Sequence, residues 1–99
     1  MIVGQISKIY KIDWKKSSLK DLEKIGNPIA KRIKEKVESY LILNPIELGK
    51  PLGNKLQGLY RYQFGDWRFI YEINRTEITI LIIKIGHRRE VYSQTQRKV

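Results

Sequence analysis

The sequence predicts an α+β domain: an N-terminal strand, an antiparallel helix pair, then a three-stranded antiparallel meander, joined in one mostly antiparallel sheet. Three observations carry this. Gly65-Asp66 separates two alternating apolar runs, the signature of a hairpin with a two-residue turn. The stretch Ile78 to Ile85 is apolar on both faces, as in a central strand covered from both sides. Upstream, Ile29, Ile33, Val37 and Leu41 recur at every fourth residue, the stripe of an amphipathic helix. Helices followed by a meander in this order pack together on one face of the sheet.

Taken in order, Ser7 to Asp13 alternates Ile9 with Lys8 and Lys11 and reads as the first strand. A helix is expected from about Trp14 to Ile25, with Leu19, Leu22 and Ile25 on its buried face and Ser18 with Asp21 forming a capping box. Gly26 is suited to the left-handed conformation that ends a helix. Asn27 then caps the next helix, with Pro28 at its first position. That helix is expected to run to about Leu43, where Asn44-Pro45 stops it. Lys31, Arg32, Lys34, Glu35 and Lys36 lie mostly outside its stripe and read as a solvated face. Ile46 to Leu56 contains two glycines and a proline and has no period, so it is expected to be a loop. Lys50 and Lys55 make that loop basic.

With Gly65-Asp66 as the turn, Phe64 faces Trp67, Gln63 faces Arg68, Tyr62 faces Phe69 and Tyr60 faces Tyr71. Side chains alternate across a strand. One face therefore collects Tyr60, Tyr62, Phe64, Trp67, Phe69 and Tyr71, and it is the core face that the helices cover. The other collects Arg61, Gln63, Arg68 and Ile70; Arg61, Gln63 and Arg68 are expected to form one solvent-facing anion site, because a slip of one residue would bury the arginines. Asn74 to Glu77 turns the chain into the third strand. That strand returns Gly86, His87 and Arg88 beside Asp66, Trp67 and Arg68, which sets the only histidine next to the arginine face. Tyr92 follows within reach. The tail from Glu90 is polar and basic and suits a short last turn of helix or strand. Without a linker or repeat, residues 1–99 read as a single domain.

A formal net charge of +10 favours a polyanionic partner, most simply nucleic acid, over a surface that is basic only for solubility. The absence of cysteine excludes disulfides and thiolate metal sites, and one histidine leaves no pair for zinc. No cofactor or metal is expected. No apolar run is long enough to span a bilayer and no signal peptide is visible, so a cytoplasmic location is expected.

Four segments carry a family resemblance: KDLEKI, LGKPL, LQGLYRYQFGDWRFIYEI and IKIGHRREVY. Together with the helix pair they cover nearly the whole chain. On them the sequence resembles the RelE/ParE superfamily of toxins from type II toxin–antitoxin systems. The resemblance implies the fold described above. It also implies a cognate antitoxin that wraps the toxin and masks its basic face, with homo-oligomers formed only through that complex. Two activities occur in the superfamily. RelE-like members cleave messenger RNA on the ribosome, whereas ParE-like members poison DNA gyrase. Fold alone does not separate them. The RelE-like pattern of an arginine on the middle strand and a basic or imidazole group with a tyrosine near the C-terminus is matched by Arg68, His87, Arg88 and Tyr92. A metal-independent endoribonuclease is therefore the expected activity. The alternatives are a gyrase poison and a degenerate toxin that only binds its antitoxin.

The chemistry needed is attack of an RNA 2′-hydroxyl on the adjacent phosphorus. Arginine suits the crowded anionic phosphorane, since it is always charged and offers a planar fork of donors. Arg61, Arg68 and Arg88 are assigned to phosphate. His87 is the expected general acid or base, because its unperturbed pKa lies near neutrality. Tyr92 is expected to stack on a base, orient the 2′-hydroxyl or act as the second proton carrier. Lys50, Lys55, Gln63 and Arg89 are expected to bind RNA. The sequence also departs from the family. Some ribosome-dependent members carry lysines where this chain has Arg61 and Gln63, and another branch has a glutamate where Lys50 stands. Proton-transfer roles therefore do not carry over whole, and ordering of the substrate by the ribosome must supply part of the catalysis.

Overall fold

The computed structural model describes residues 9–91, which form a five-stranded sheet with two helices against one face. The elements run β1 (Lys11–Trp14), α1 (Lys16–Ile25), α2 (Ile29–Ser39), a 3-10 turn (Leu41–Leu43), a one-turn helix α3 (Pro45–Leu48), β2 (Lys50–Pro51), a second 3-10 turn (Asn54–Leu56), β3 (Tyr60–Phe64), β4 (Trp67–Asn74) and β5 (Thr79–His87). The strand order is β1-β5-β4-β3-β2. Only β1, which pairs with β5, runs parallel to its neighbour.

The expected hairpin register is present at every pair, from Tyr60 opposite Tyr71 to Phe64 opposite Trp67. Gly65 has φ 60°, the positive value that the first residue of a type II′ turn requires. Tyr60, Tyr62, Phe64 and Trp67 pack beside the buried Phe69 and Tyr71, and Ile33 and Val37 from α2 with Leu41 from the turn after it close this core. The stripe inferred for that helix is thus buried. The helix itself is shorter than expected. It ends at Ser39, and Leu41–Leu43 tightens into the 3-10 turn. Asn27 does not cap it: no side chain bonds to its first turn, and the Ala30 N–H donates to the Gly26 carbonyl at 2.9 Å. The Asn27–Pro28 bond is cis.

Two further expectations fail for a shared reason. Ser18 and Asp21 form no capping box. Ser18 Oγ donates to the Lys15 carbonyl, and Asp21 points away from the helix end. Leu19 is 46% exposed, because the buried face of α1 is centred on Ser18, Asp21 and Leu22 instead. The cause lies at the edge of β5. The strand β1 pairs with it only from Thr79 to Ile82, leaving later backbone groups without a strand partner on that side. Polar atoms around the start of α1 take over. Lys15 N–H donates to the Ile82 carbonyl at 2.9 Å, Ser17 Oγ to the Ile83 carbonyl at 2.6 Å, and the Ile85 N–H donates to Asp21 Oδ2 at 2.9 Å. Asp21 Oδ1 also accepts from Lys84 Nζ at 2.9 Å. The α1 surface completes the sheet edge, and buried backbone groups stay paired.

The loop expected over Ile46 to Leu56 contains structure. Lys50 and Pro51 add a fifth strand opposite Arg61 and Tyr60. Leu52 and Leu56 then pack over Leu59, Ile70 and Val91, a second small core on the face away from the helices. Gly49 is the joint of this crossing. Tyr71, fully buried, donates its hydroxyl to the Pro45 carbonyl at 2.7 Å, and a Cβ at Gly49 would collide with that hydroxyl and ring. Gly49→Ala is therefore expected to lower stability by about 1–3 kcal/mol, the usual range for forcing atoms into a filled core. Urea denaturation would show it, and an unchanged midpoint would refute the close approach.

Candidate functional site

Register and alternation assign the basic side chains to faces. Tyr60, Tyr62, Phe64, Trp67 and Phe69 face the helices, so Arg61, Gln63 and Arg68 between them face the other way. Lys50 is the register partner of Arg61 and joins the same face. Lys50, Arg61, Gln63 and Arg68 therefore form one strip across β2, β3 and β4. Lys50 and Gln63 are exposed and Arg61 is half-buried.

Arg68 departs from the expectation of a solvent-facing arginine: it is only 9% exposed. Its face also holds the small core of Leu59, Ile70 and Val91, and the chain after β5 folds back onto it. Gly86, opposite Arg68 in register, lies against this return: a Cβ there would sit in ordinary contact with Val91 Cβ at 3.4 Å. Nη1 of Arg68 donates to the Gly65 carbonyl at 2.8 Å and to the Trp67 carbonyl at 3.0 Å. These bonds fix the guanidinium at the head of the hairpin. Lys55, exposed, lies on the 3-10 turn beside this face.

The strand end brings further residues to the same corner. Arg88 N–H donates to the Asp66 carbonyl at 2.8 Å, and Arg88 Nε lies 3.9 Å from Asp66 Oδ1. The Arg88 side chain is 53% exposed, so its guanidinium remains open to a ligand. Arg89 is also exposed. Tyr92 lies outside the described residues.

His87 is not on the arginine face. It pairs with Trp67 across β4 and β5, and register partners share a face. Its ring meets Trp67 edge-on with centroids 5.9 Å apart, on the side of α1. There it lines a cleft of about 250 Å³ with Asp21, Lys24, Trp67, Lys84 and Glu90. Adjacency in the chain suggested the arginine face; strand alternation, applied to the Trp67–His87 pair, identifies the other. The cleft itself was not foreseen, although Asp21 on the inner face of an amphipathic helix was a legible signal for a polar feature there.

Among the described residues no group of three His, Cys, Asp or Glu side chains is arranged to hold a metal, and no helix is long and apolar enough to cross a membrane. Burial pushes the Tyr71 phenol far above its ordinary pKa, with the neighbouring Tyr60 and Tyr62 adding to the shift. Burial, then Tyr40, also raises Tyr62. These core phenols stay protonated near neutrality and are poor proton carriers.

The chain is thus a small α+β domain, with helices on one face of a mostly antiparallel sheet and an arginine-bearing strip on the other. The chain belongs to the family described as the ParE toxin of type II toxin–antitoxin systems, whose model matches residues 12–92. It is similar to the toxin RelE of Mycobacterium tuberculosis, 37% identical over 76 residues, covering 77% of this chain and 78% of that protein. It is also similar to the mRNA interferase toxin RelE of Escherichia coli, 25% identical over 97 residues, covering 91% of this chain and 97% of that one. Among solved structures, the toxin–antitoxin complex RelBE2 from Mycobacterium tuberculosis matches with TM-score 0.78 and 27% identity, covering 82% of this chain and 100% of that chain.

Proposed function

We propose that this toxin is a ribosome-dependent, metal-independent endoribonuclease that cleaves messenger RNA. The observation that carries the reading is the strip Lys50–Arg61–Gln63–Arg68, which meets the exposed Arg88 at the hairpin head. The similarity to a protein named an mRNA interferase supports it. In the reaction the 2′-oxygen bonds to phosphorus as the bond to the 5′-oxygen breaks, leaving a 2′,3′-cyclic phosphate and a 5′-hydroxyl. The 2′-hydroxyl proton must leave and the 5′-oxygen must gain one. Arg61 and Arg88 bind the phosphate and hold the equatorial oxygens as charge builds in the phosphorane; charged, prepositioned donors are most effective there. Arg68, locked by its carbonyl bonds, contributes a fixed positive charge beneath them. Lys50, Lys55, Gln63 and Arg89 guide the flanking backbone. The proton-transfer role is assigned to Tyr92, since His87 pairs with Trp67 on the face opposite the arginines. With few groups available for proton transfer, the ribosome aligns the 2′-hydroxyl for attack.

The toxin works in the cytoplasm as one domain, and a cognate antitoxin covers the basic strip; that RelBE2 is a toxin–antitoxin complex supports an antitoxin partner. A second reading, poisoning of DNA gyrase without RNA cleavage, draws on the ParE description of the matched family. Brief induction followed by mapping of messenger RNA ends and of DNA-damage signalling tests both. Cuts at fixed positions within codons are expected; intact messages with DNA-repair induction would replace the first reading with the second.

A further inference from the structure

We infer that the cleft between α1 and the end of β5, walled by Trp67 and His87, is a subsite for one unstacked nucleobase of the bound RNA. The inference rests on an RNA substrate for the strip on the opposite face. Four observations point to a base rather than a phosphate. The cleft presents two half-buried aromatic rings set edge to face, and any nucleobase can stack on such a surface. Its formal charges balance, with Lys24 and Lys84 against Asp21 and Glu90, so it does not concentrate anions as the strip does. Its volume of about 250 Å³ lies below the range of about 300–1,000 Å³ typical of clefts for larger ligands and suits a single planar group. Its wall carries the exposed Lys24, whose ammonium can donate to the ring-nitrogen and carbonyl acceptors of a base edge.

Position links this cleft to the strip. Trp67 and Arg68 are consecutive on β4, so the two sites are back to back on one strand. Arg88, following His87, stands at the rim between them. An RNA strand whose phosphate lies on the arginine face can turn around the strand end past Arg88 and leave its next base in the cleft. Single-stranded RNA is recognised in this manner, with bases splayed out and stacked. Asp21 has both oxygens occupied by Lys84 and the Ile85 N–H, which keeps that wall rigid. His87 is then a binding residue and not the proton carrier.

The test uses the full-length toxin with Trp14→Phe, leaving Trp67 as the sole tryptophan. A mixed-sequence single-stranded octaribonucleotide is expected to quench its fluorescence. His87→Ala should weaken binding about tenfold or more, the usual range for one stacked base. His87→Phe, which stacks but carries no proton, should restore most of it. Lys24→Glu, on an exposed site that does not threaten folding, should weaken it as well. On programmed ribosomes, His87→Ala should raise the half-saturating concentration more than it lowers the single-turnover rate. The inference is overturned if the oligonucleotide causes no quenching. It is equally overturned if His87→Phe and His87→Ala are equally slow at saturation and both lose a limb of the pH profile, which would make His87 the proton carrier and leave the nuclease reading intact. Quenching by RNA in a parent toxin that never cleaves would sustain the base subsite and remove the nuclease reading instead.

Discussion

Replacing Arg88 with alanine is expected to slow single-turnover cleavage of messenger RNA on programmed ribosomes by about 10²–10³-fold, the usual loss when one prepositioned donor to a developing oxyanion is removed. The fold should be indifferent. The side chain is 53% exposed and its ion pair to Asp66, itself 67% exposed, spans 3.9 Å. Exposed pairs of this kind contribute little to stability. Arg88→Lys should fall between the parent and the alanine variant, keeping the charge but losing the planar fork. Arg88→Ala with parental cleavage would move the phosphate site away from the hairpin head. Arg68→Ala is a less clean probe, because its guanidinium is almost buried and tied to two carbonyls, so lost activity and lost structure would be confounded.

The largest stability effect is expected at Asp21. Asp21→Ala leaves the buried Ile85 N–H without its acceptor and Lys84, whose side chain is 19% exposed, without its counter-charge. Losing one partner of a buried donor costs about 1–3 kcal/mol, and breaking a buried ion pair about 3–5 kcal/mol. Partial exposure of Lys84 tempers the second figure, so about 2–4 kcal/mol is expected. In a domain stable by about 5–15 kcal/mol this is a large fraction, and the thermal midpoint should drop by roughly 10–25 °C. Asp21→Asn should cost less, because an amide oxygen still accepts from Ile85. A thermal scan in which Asp21→Ala melts with the parent would show that α1 does not hold the strand edge.

The parts of the fold that were legible in the sequence are those fixed by local chemistry. A two-residue Gly65-Asp66 turn leaves one register, and that register sorts every side chain of β3 and β4 to its face. The α2 stripe was legible because four apolar residues at one spacing admit one buried face. What escaped was set by partners distant in sequence. Asp21 looked like a cap residue until β5 required its carboxylate. Arg68 looked exposed because Leu52, Leu56 and Val91, which fold over its face, come from a segment without a period and from the chain end. Lys50–Pro51 is too short a strand to show alternation. His87 was misplaced for a different reason: its neighbour in the chain, Arg88, was given more weight than its neighbour across the ladder, Trp67.

The parallel pairing of β1 with β5 also has a consequence for how this chain comes into being. Lys11 meets Thr79, so β1, the first described strand, waits for β5, the last described one, to be synthesised. The helix pair and the β3–β4 hairpin are assembled from near neighbours in sequence and can form early. Docking of β1 and Asp21 onto β5 joins segments more than sixty residues apart, so among the described pairings it is expected to form late. A ribosome making this toxin would therefore hold an unfinished sheet until β5 has emerged. Chains arrested before Ile82 should be degraded by a dilute protease, whereas chains extended through Val91 should resist it. Equal resistance of the two would mean that the N-terminal strand finds a place without its partner.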